Sequence, residues 1–468
     1  MSDNNKASVV IRAGIWYTMS SFMTKGMAFI TTPIFTRLLT SDEFGDYSNF
    51  VAWAGIIVIV ATMDMHTTVN RARYDYENLD GYLSSVALSG TAVTTLMWGI
   101  VQLFPDFFCR LFSMDMRYIN LLFITTMVSP ALTLFQAKNR INYKYKTYVA
   151  ISFGSVLLST LISLALVLLM QDRLAGRLLG HYGTVFVIDL IVYIYIIYKG
   201  RQFRWDECKY ALLICIPMIP HLLSKYLLNQ ADRIMIKQFC GSTDTAFYSL
   251  AYTCAMIPIM LGNATNIAWS PWSSEQIHEG NFKGIRKASY YYIAMFYLIV
   301  IGMFLLGPEI ILVLGGKKYM EAVVVLPPVV MGAAFQFLYN LYVALEQFAK
   351  KTVGMAFGTA AAAVINVALN WVLIPRYGYV AAAYTTLFGY ACLLVIHYYL
   401  ARRTGYIEAY NEKFIFGSLG ALFVTMFFAL WAYDHSPLIR YALALILCIT
   451  MCVYAYKYRD TIRRLLKR

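Results

Sequence analysis

Long apolar runs, each ended by a short polar loop, fill this chain from one end to the other. They lie near residues 13–38, 47–66, 81–104, 118–137, 147–170 and 179–198, then 210–236, 246–272, 288–314, 322–346, 352–374 and 379–400, with two more at 414–433 and 438–456. About 20 apolar residues in helical form cross the hydrocarbon core of a bilayer. Within it, only helices and closed barrels satisfy their own backbone. The pattern predicts an all-α, polytopic membrane protein with about fourteen transmembrane helices.

One run departs from the rule. YALLICIPMIPHLLSKYLLNQADRIMIKQFCGSTDTAFY (210–248) is long enough to span, yet it holds Lys225 deep inside and Asp232-Arg233 near its far end. On helical spacing His221, Lys225, Asn229 and Arg233 follow at four-residue steps, with Ser224 and Asp232 beside them, so one face of a greasy helix is polar. A charge at the bilayer centre costs about 3 kcal/mol or more, so such residues face water or a partner.

The same device occurs about two hundred residues earlier. ITTPIFTRLLTSDEFGDYSNF (30–50) lines up with DRIMIKQFCGSTDTAFYSLAY (232–252), matching Arg37 with Lys237 and Tyr47-Ser48 with Tyr248-Ser249. Lys25 and Lys225 fall at equivalent depth in the first and seventh runs. KTYVAISFG (146–154) answers KTVGMAFG (351–358), and HYG (181–183) answers RYG (376–378). Each half has six spans, so equivalent loops lie on one membrane side and the repeats are parallel. The expected plan is an N-terminal six-helix lobe (1–200), a C-terminal six-helix lobe (201–404), and two further helices with a basic tail (405–468). Transporters of this build hold substrate between their halves and rock one against the other.

Charge orients the chain. It has 39 Lys and Arg against 25 Asp and Glu, a formal charge of +14, in a composition 60% hydrophobic and only 14% charged. Soluble domains average about 25% charged residues. In a membrane protein, dispersed basic residues are topology signals and headgroup contacts, which argues against a nucleic-acid partner. With the N-terminus cytoplasmic, 26 of the 39 fall in inside segments, and the positive-inside rule then places both termini in the cytoplasm. The leader MSDNNKASVVIR runs into an apolar segment without a small-residue cleavage pattern, so the first helix is expected to stay as an anchor.

Other polar residues punctuate the spans. Gly14, Thr18, Ser21, Lys25 and Thr32 share a face of the first helix. Ser152, Ser155, Ser159 and Ser163 do so in the fifth, and Asn366 and Asn370 in the eleventh. The serine stripe reads either as cavity lining or as a helix-packing seam. Asp189 sits in the middle of the sixth helix, and Asp64 near the end of the second. With Asp232 they are candidate sites for a coupling cation, H+ or Na+, or else structural partners of the basic residues. Prolines at 33, 130, 217, 220, 258 and 327–328 mark points where helices bend.

Much chemistry is absent. There is no GxxxxGK[ST] phosphate loop; GGKKYM (315–320) lacks its spacing and its hydroxyl residue. HExxH, CxxC and GxSxG are also missing, and the eight Cys show no metal spacing. Of six scattered His, only His221 lies beside the polar stripe. The loops are too short to fold a catalytic domain. A transporter is expected, with no cofactor, no metal and no enzymatic activity.

KKTVGMAFGTAAAAVINVALNWVLIPRYGYVAAAYTTLFGY (350–390) has a Lys-Thr opening, an Ala-rich helix ending in Asn-x-x-x-Asn, and an Ile-Pro-x-Tyr-Gly loop. These features, with ADRIMIKQF…TAFYSLAY (231–252) and GGKKYMEAVVVLPPVVMG (315–332), resemble the polysaccharide transporter family (Wzx-like oligosaccharide flippases) of the multidrug/oligosaccharidyl-lipid/polysaccharide (MOP) exporter superfamily. Val380-Ala381 departs from the Gly-Ala that often follows the Tyr-Gly loop in that family. The resemblance covers about residues 8–400. It implies two six-helix lobes in a V shape, the bacterial inner membrane, and a lipid-linked oligosaccharide as cargo for O-antigen, capsule or exopolysaccharide assembly. A polysaccharide polymerase and a chain-length regulator are the partners it implies, besides membrane lipids.

A polyprenyl pyrophosphate carries at least two negative charges, and ammonium groups bind phosphate as point charges. Lys25 and Lys225, one per lobe, suit that head group. Arg12, Arg71 and Arg73 are placed to draw it to the cytoplasmic mouth, and Arg233 and Lys237 lie toward the exit, with His221 nearby. The alternative is that Asp189 or Asp64 neutralises each lysine. A lipid II flippase and a cation-coupled multidrug exporter of the same superfamily remain open. Two mid-membrane lysines argue against the latter, because cationic drugs call for acidic cavities. A scaffold within a polysaccharide assembly complex is the reading outside transport.

Overall fold

The computed structural model describes residues 3–457, and no β-strand occurs among them. Fourteen long helices match the predicted runs: α1 (Asp3–Leu38), α2 (Ser41–Thr62), α3 (Leu79–Leu103), α4 (Met116–Ile141), α5 (Tyr145–Leu169), α6 (Thr184–Gly200), α7 (Ile219–Cys240), α8 (Ser242–His278), α9 (Phe282–Leu305), α10 (Leu326–Phe348), α11 (Thr352–Tyr377), α12 (Tyr379–Arg402), α13 (Glu412–His435) and α14 (Pro437–Lys457). Among the described residues, twelve helical segments are long and apolar enough to cross a membrane. The two ends of the fold, α1 and α14, stand outside that dozen. The protein is a multi-pass membrane protein.

Polar caps set the helix starts where the sequence drops out of its apolar runs. Thr40 and Glu43 form a reciprocal capping box at α2. Asn78, Asn281 and Asn411 each accept from a backbone amide three residues on, at the starts of α3, α9 and α13. The α2 helix stops where Met63 and then Asp64 turn left-handed, with φ of 47° and 53°.

The seventh run is not one helix. Trp205–Cys215 is helical, Ile216–Met218 tightens to a 3₁₀ turn, and α7 begins at Ile219. Pro217 has no N–H for the Leu213 carbonyl and its ring crowds that carbonyl, which weakens the helix at the point where it tightens. Pro220 sits in the opening turn of α7, where an N–H has no partner to lose.

Two compact units divide the residues: 1–249 with 359–382, and 250–358 with 383–468. In the first, the bundle of α2, α3, α4 and α6 closes over two apolar clusters. Tyr82, Leu83, Ala131 and Ile196 lie in one; Phe50, Ile57, Ile119 and Phe123 lie in the other. In the second, α10 is buried along most of its length. Phe337 of α10 stacks on Phe296 of α9, with ring centres 4.0 Å apart. Farther on, Arg440 ties α14 to the Leu305 carbonyl at 2.7 Å and to Glu309 at 2.7 Å.

Candidate functional site

Two glycines of α2 admit close neighbours: Gly55 one from α7, and Gly45 one from the start of α8. The Tyr226 hydroxyl donates to the α2 backbone, 3.3 Å from the Val51 oxygen and 3.2 Å from that of Ala52. Gly55 makes the room, since a Cβ built there would lie 1.9 Å from that hydroxyl. Near the start of α2, a Cβ on Gly45 would lie 1.8 Å from the Ser242 carbonyl oxygen. Backbone meets backbone at that point. Lys237 bonds Asp46 and Ser242 there, and Ser242 also donates to Asp46 at 2.8 Å. A cavity of about 190 Å³ opens beside this cluster, lined in part by Asp46, Ser113, Asp115, Tyr118 and Lys237.

The polar stripe of α7 divides into an open half and a closed half. Lys225 is exposed, and its ammonium has no carboxylate partner among the described residues. His221, one turn earlier, is half-buried, and its Nδ1 has no hydrogen-bond partner. Asn229 donates back to the Lys225 carbonyl at 2.7 Å. One turn later the helix enters the interior. Asp232 is fully buried and accepts from the Tyr248 hydroxyl and, at 2.5 Å, from the Asn370 amide, which also donates to Asn366 at 3.3 Å. Arg233 donates to the Ser249 hydroxyl at 3.2 Å and to Gln230. The two asparagines read from the eleventh run therefore serve Asp232.

Lys25 on α1 resembles Lys225: exposed, with no carboxylate partner among the described residues. The carboxylates considered as their partners are occupied or enclosed. Asp64 sits 3.2 Å from the His66 Nδ1. Asp189 is 3% exposed, and its Oδ1 lacks a hydrogen-bond partner. Arg71 and Arg73 lie on a short helix, Val69–Asp75, and both are exposed. Arg71 pairs with Asp75 at 3.1 Å, while Arg73 donates to the Ile141 carbonyl at 3.2 Å and lies over the Tyr74 ring. The bond from Tyr210, at 2.6 Å, with that from Arg71, holds the Asp75 carboxyl below its ordinary value.

The serine stripe of α5 is a packing seam. Ser155, Ser159 and Ser163 are buried. Gly180, in a π-helical turn before α6, lies so close that a Cβ on it would sit 2.2 Å from the Ser163 Cα. Ser163 donates to the Arg177 carbonyl at 3.4 Å.

Asp64 and His66 follow α2. Burial pushes the Asp64 carboxyl up and the His66 imidazole down, and their mutual attraction opposes both shifts. On acidification below 6.5, the unfolded chain protonates His66 before the folded protein does, so stability falls with pH across that window. Asp64 acts oppositely and lower: stability falls as pH rises from 3.8 toward its raised value. His66→Gln is expected to flatten the loss of melting temperature just below pH 6.5 (value in the unfolded chain), read by thermal unfolding in detergent across a pH series.

Sequence reasoning missed two features. One is Arg177, buried with its guanidinium 3.7 Å from the Phe35 ring centre and bonded to Tyr47. The other is a buried pair in the second unit, Glu346 and His397, joined at 2.8 Å. The signal for the pair was present: one carboxylate inside the apolar stretch LYVALEQF, and one imidazole inside LLVIHYYL.

Comparison with known proteins follows the same lines. The family model described as "Polysaccharide biosynthesis protein" matches residues 10–277, and the MatE model matches residues 217–372. The chain is 21% identical over 280 residues to Lsg locus protein 1 of Haemophilus influenzae, covering 58% of this chain and 67% of that protein. It is 22% identical over 467 residues to an uncharacterized membrane protein of Methanocaldococcus jannaschii, covering 90% and 89%. Among solved structures, the lipid II flippase MurJ in its inward closed conformation superposes with a TM-score of 0.74 at 14% identity, covering 96% of this chain and all of that one. At that identity the likeness speaks for the fold alone.

Proposed function

This chain belongs to the polysaccharide biosynthesis protein family, a transporter family of the MOP superfamily, and on that premise we propose that it is a flippase carrying a polyprenyl-pyrophosphate-linked oligosaccharide across the bacterial cytoplasmic membrane. The observation that carries the proposal is the pair Lys25 and Lys225: two ammonium groups on helices of an apolar bundle, exposed, with no carboxylate partner among the described residues. An unneutralised cation at membrane depth calls for an anion, and a pyrophosphate supplies one while its lipid tail stays in hydrocarbon.

In this reading the two six-helix repeats form lobes that expose the head-group site alternately to each side, with both termini cytoplasmic. Arg12, Arg71 and Arg73 attract the head group at the inner mouth. Lys237 and Arg233 lie toward the outer one, where the polar cavity beside Asp46 offers hydrogen-bonding groups to sugar. A coupling cation, H+ or Na+, would act at Asp232, Asp189 or Asp64. Of these, Asp232 has the fullest set of bonds and Asp189 the fewest. A polymerase and a chain-length regulator would receive the product.

The test is transbilayer movement of a polyprenyl-pyrophosphate disaccharide in liposomes containing the purified protein. Movement supports the cargo class. Movement of lipid II, with rescue of cells lacking their own lipid II flippase, points to that narrower cargo instead. Failure of both, with raised drug resistance on expression, selects the multidrug exporter.

A further inference from the structure

Glu346 on α10 and His397 on α12 are 0% and 1% exposed, and the imidazole Nδ1 lies 2.8 Å from the carboxyl Oε1. Each keeps a second polar atom that is buried without a hydrogen-bond partner, Glu346 Oε2 and His397 Nε2. We propose that this pair is a proton-binding site of the second unit, holding one shared proton when α10 and α12 are closed and exchanging it with water when they part. The proposal rests on the transporter reading for its use, and on geometry alone for its existence.

The physics limits the closed state. With one proton between them, as imidazolium with carboxylate or as imidazole with carboxylic acid, the pair is neutral overall. Adding or removing a proton leaves a net charge in an apolar interior, at a cost of several kcal/mol.

A purely structural clasp would have its polar atoms satisfied, because each buried unpaired group costs about 1–3 kcal/mol. In this pair Glu346 Oε2 and His397 Nε2 have no protein partner.

The Tyr339 ring stacks on the imidazole, with centres 5.4 Å apart. From α11 the neighbour is Gly358, on which a Cβ would lie 3.5 Å from Nε2. Tyr342 precedes Glu346 by one turn. Glu412 of α13 bonds Tyr398 at 3.0 Å, and the Lys351 ammonium donates to the Arg403 carbonyl at 2.7 Å. From α9, which packs on α10, Tyr292 lies against Phe337 and the Tyr297 hydroxyl is buried, while Lys283, Arg286 and Lys287 sit in the first turns of that helix.

Two readouts on the full chain in lipid test the site. In infrared difference spectra between acid and alkaline perfusion, the wild type is expected to show a protonated-carboxyl band that Glu346→Gln removes, His397→Gln shifts, and Glu346→Asp keeps. An unchanged spectrum in a folded Glu346→Gln protein overturns the site, whatever the cargo. The second readout is accumulation of a fluorescent polyprenyl-pyrophosphate disaccharide under a pH gradient. One pH unit supports about tenfold accumulation per coupled proton, which Glu346→Gln is expected to abolish while movement down the lipid's own gradient persists. Accumulation undiminished in that variant overturns coupling through this pair. If the wild type moves no lipid at all, the cargo reading falls and the spectra alone decide the proton site.

Discussion

Joint replacement of Lys25 and Lys225 by alanine is expected to abolish transbilayer movement of a polyprenyl-pyrophosphate oligosaccharide while leaving the protein folded. Both side chains are exposed, and neither holds a carboxylate among the described residues. Their removal breaks no ion pair there, and surface changes of that kind stay within about 0.5 kcal/mol of stability. Binding is a different matter. A hydrogen bond to a charged partner is worth about 2 kcal/mol, which is roughly thirtyfold in affinity. Losing one lysine should cut movement by about that factor, and losing both by about a thousandfold, near background. Lysine-to-arginine variants keep the charge and should retain partial movement, because phosphate accepts either cation. The measurement is initial rate in liposomes beside the detergent melting temperature. Wild-type rates in the double alanine variant would move the head-group site elsewhere.

The helices were legible because bilayer thickness imposes their length, and most predicted runs became helices within a few residues. The seventh and ninth runs are each broken into two helices, and α1 begins ten residues before the first run. The interruption before α7 was legible only as a bend at Pro217 and Pro220; the run itself reads as one span, and the 3₁₀ turn at Ile216–Met218 shows where it breaks. What the polar stripe did was not legible. Periodicity puts His221, Lys225, Asn229 and Arg233 on one face, but which part of that face meets open space depends on neighbouring helices. The structure leaves Lys225 open and buries Asp232 against Tyr248 from the next helix and Asn370, 138 residues along the chain. The serine stripe of α5 had two readings for the same reason, and the close approach of Gly180 selects packing. Glu346 and His397 are 51 residues apart. Each alone is an oddity in an apolar helix, and only the fold makes them a pair.

Gly45→Ala is expected to be the most destabilising single-methyl change in the first unit. The added carbon would sit 1.8 Å from the Ser242 carbonyl oxygen and 2.6 Å from its carbon, where nonbonded heavy atoms settle at about 3.5 Å. Overpacking commonly costs about 1–3 kcal/mol when side chains can give way. Here the obstacle is backbone at the start of α8, so α2 and α8 must separate. Separation also pulls Asp46 from Lys237 and Ser242, adding the loss of a charge-assisted bond. The combined cost should exceed about 3 kcal/mol. Gly154→Ala in α5 is the matched control. Nothing lies within 4 Å of a Cβ there, and alanine favours a helix interior over glycine by about 1 kcal/mol. Thermal unfolding in detergent should therefore place Gly45→Ala well below the wild type and Gly154→Ala level with it or above. Equal melting of Gly45→Ala and the wild type would mean that α2 and α8 do not approach this closely, and the Lys237–Asp46–Ser242 cluster would have to be redrawn with them.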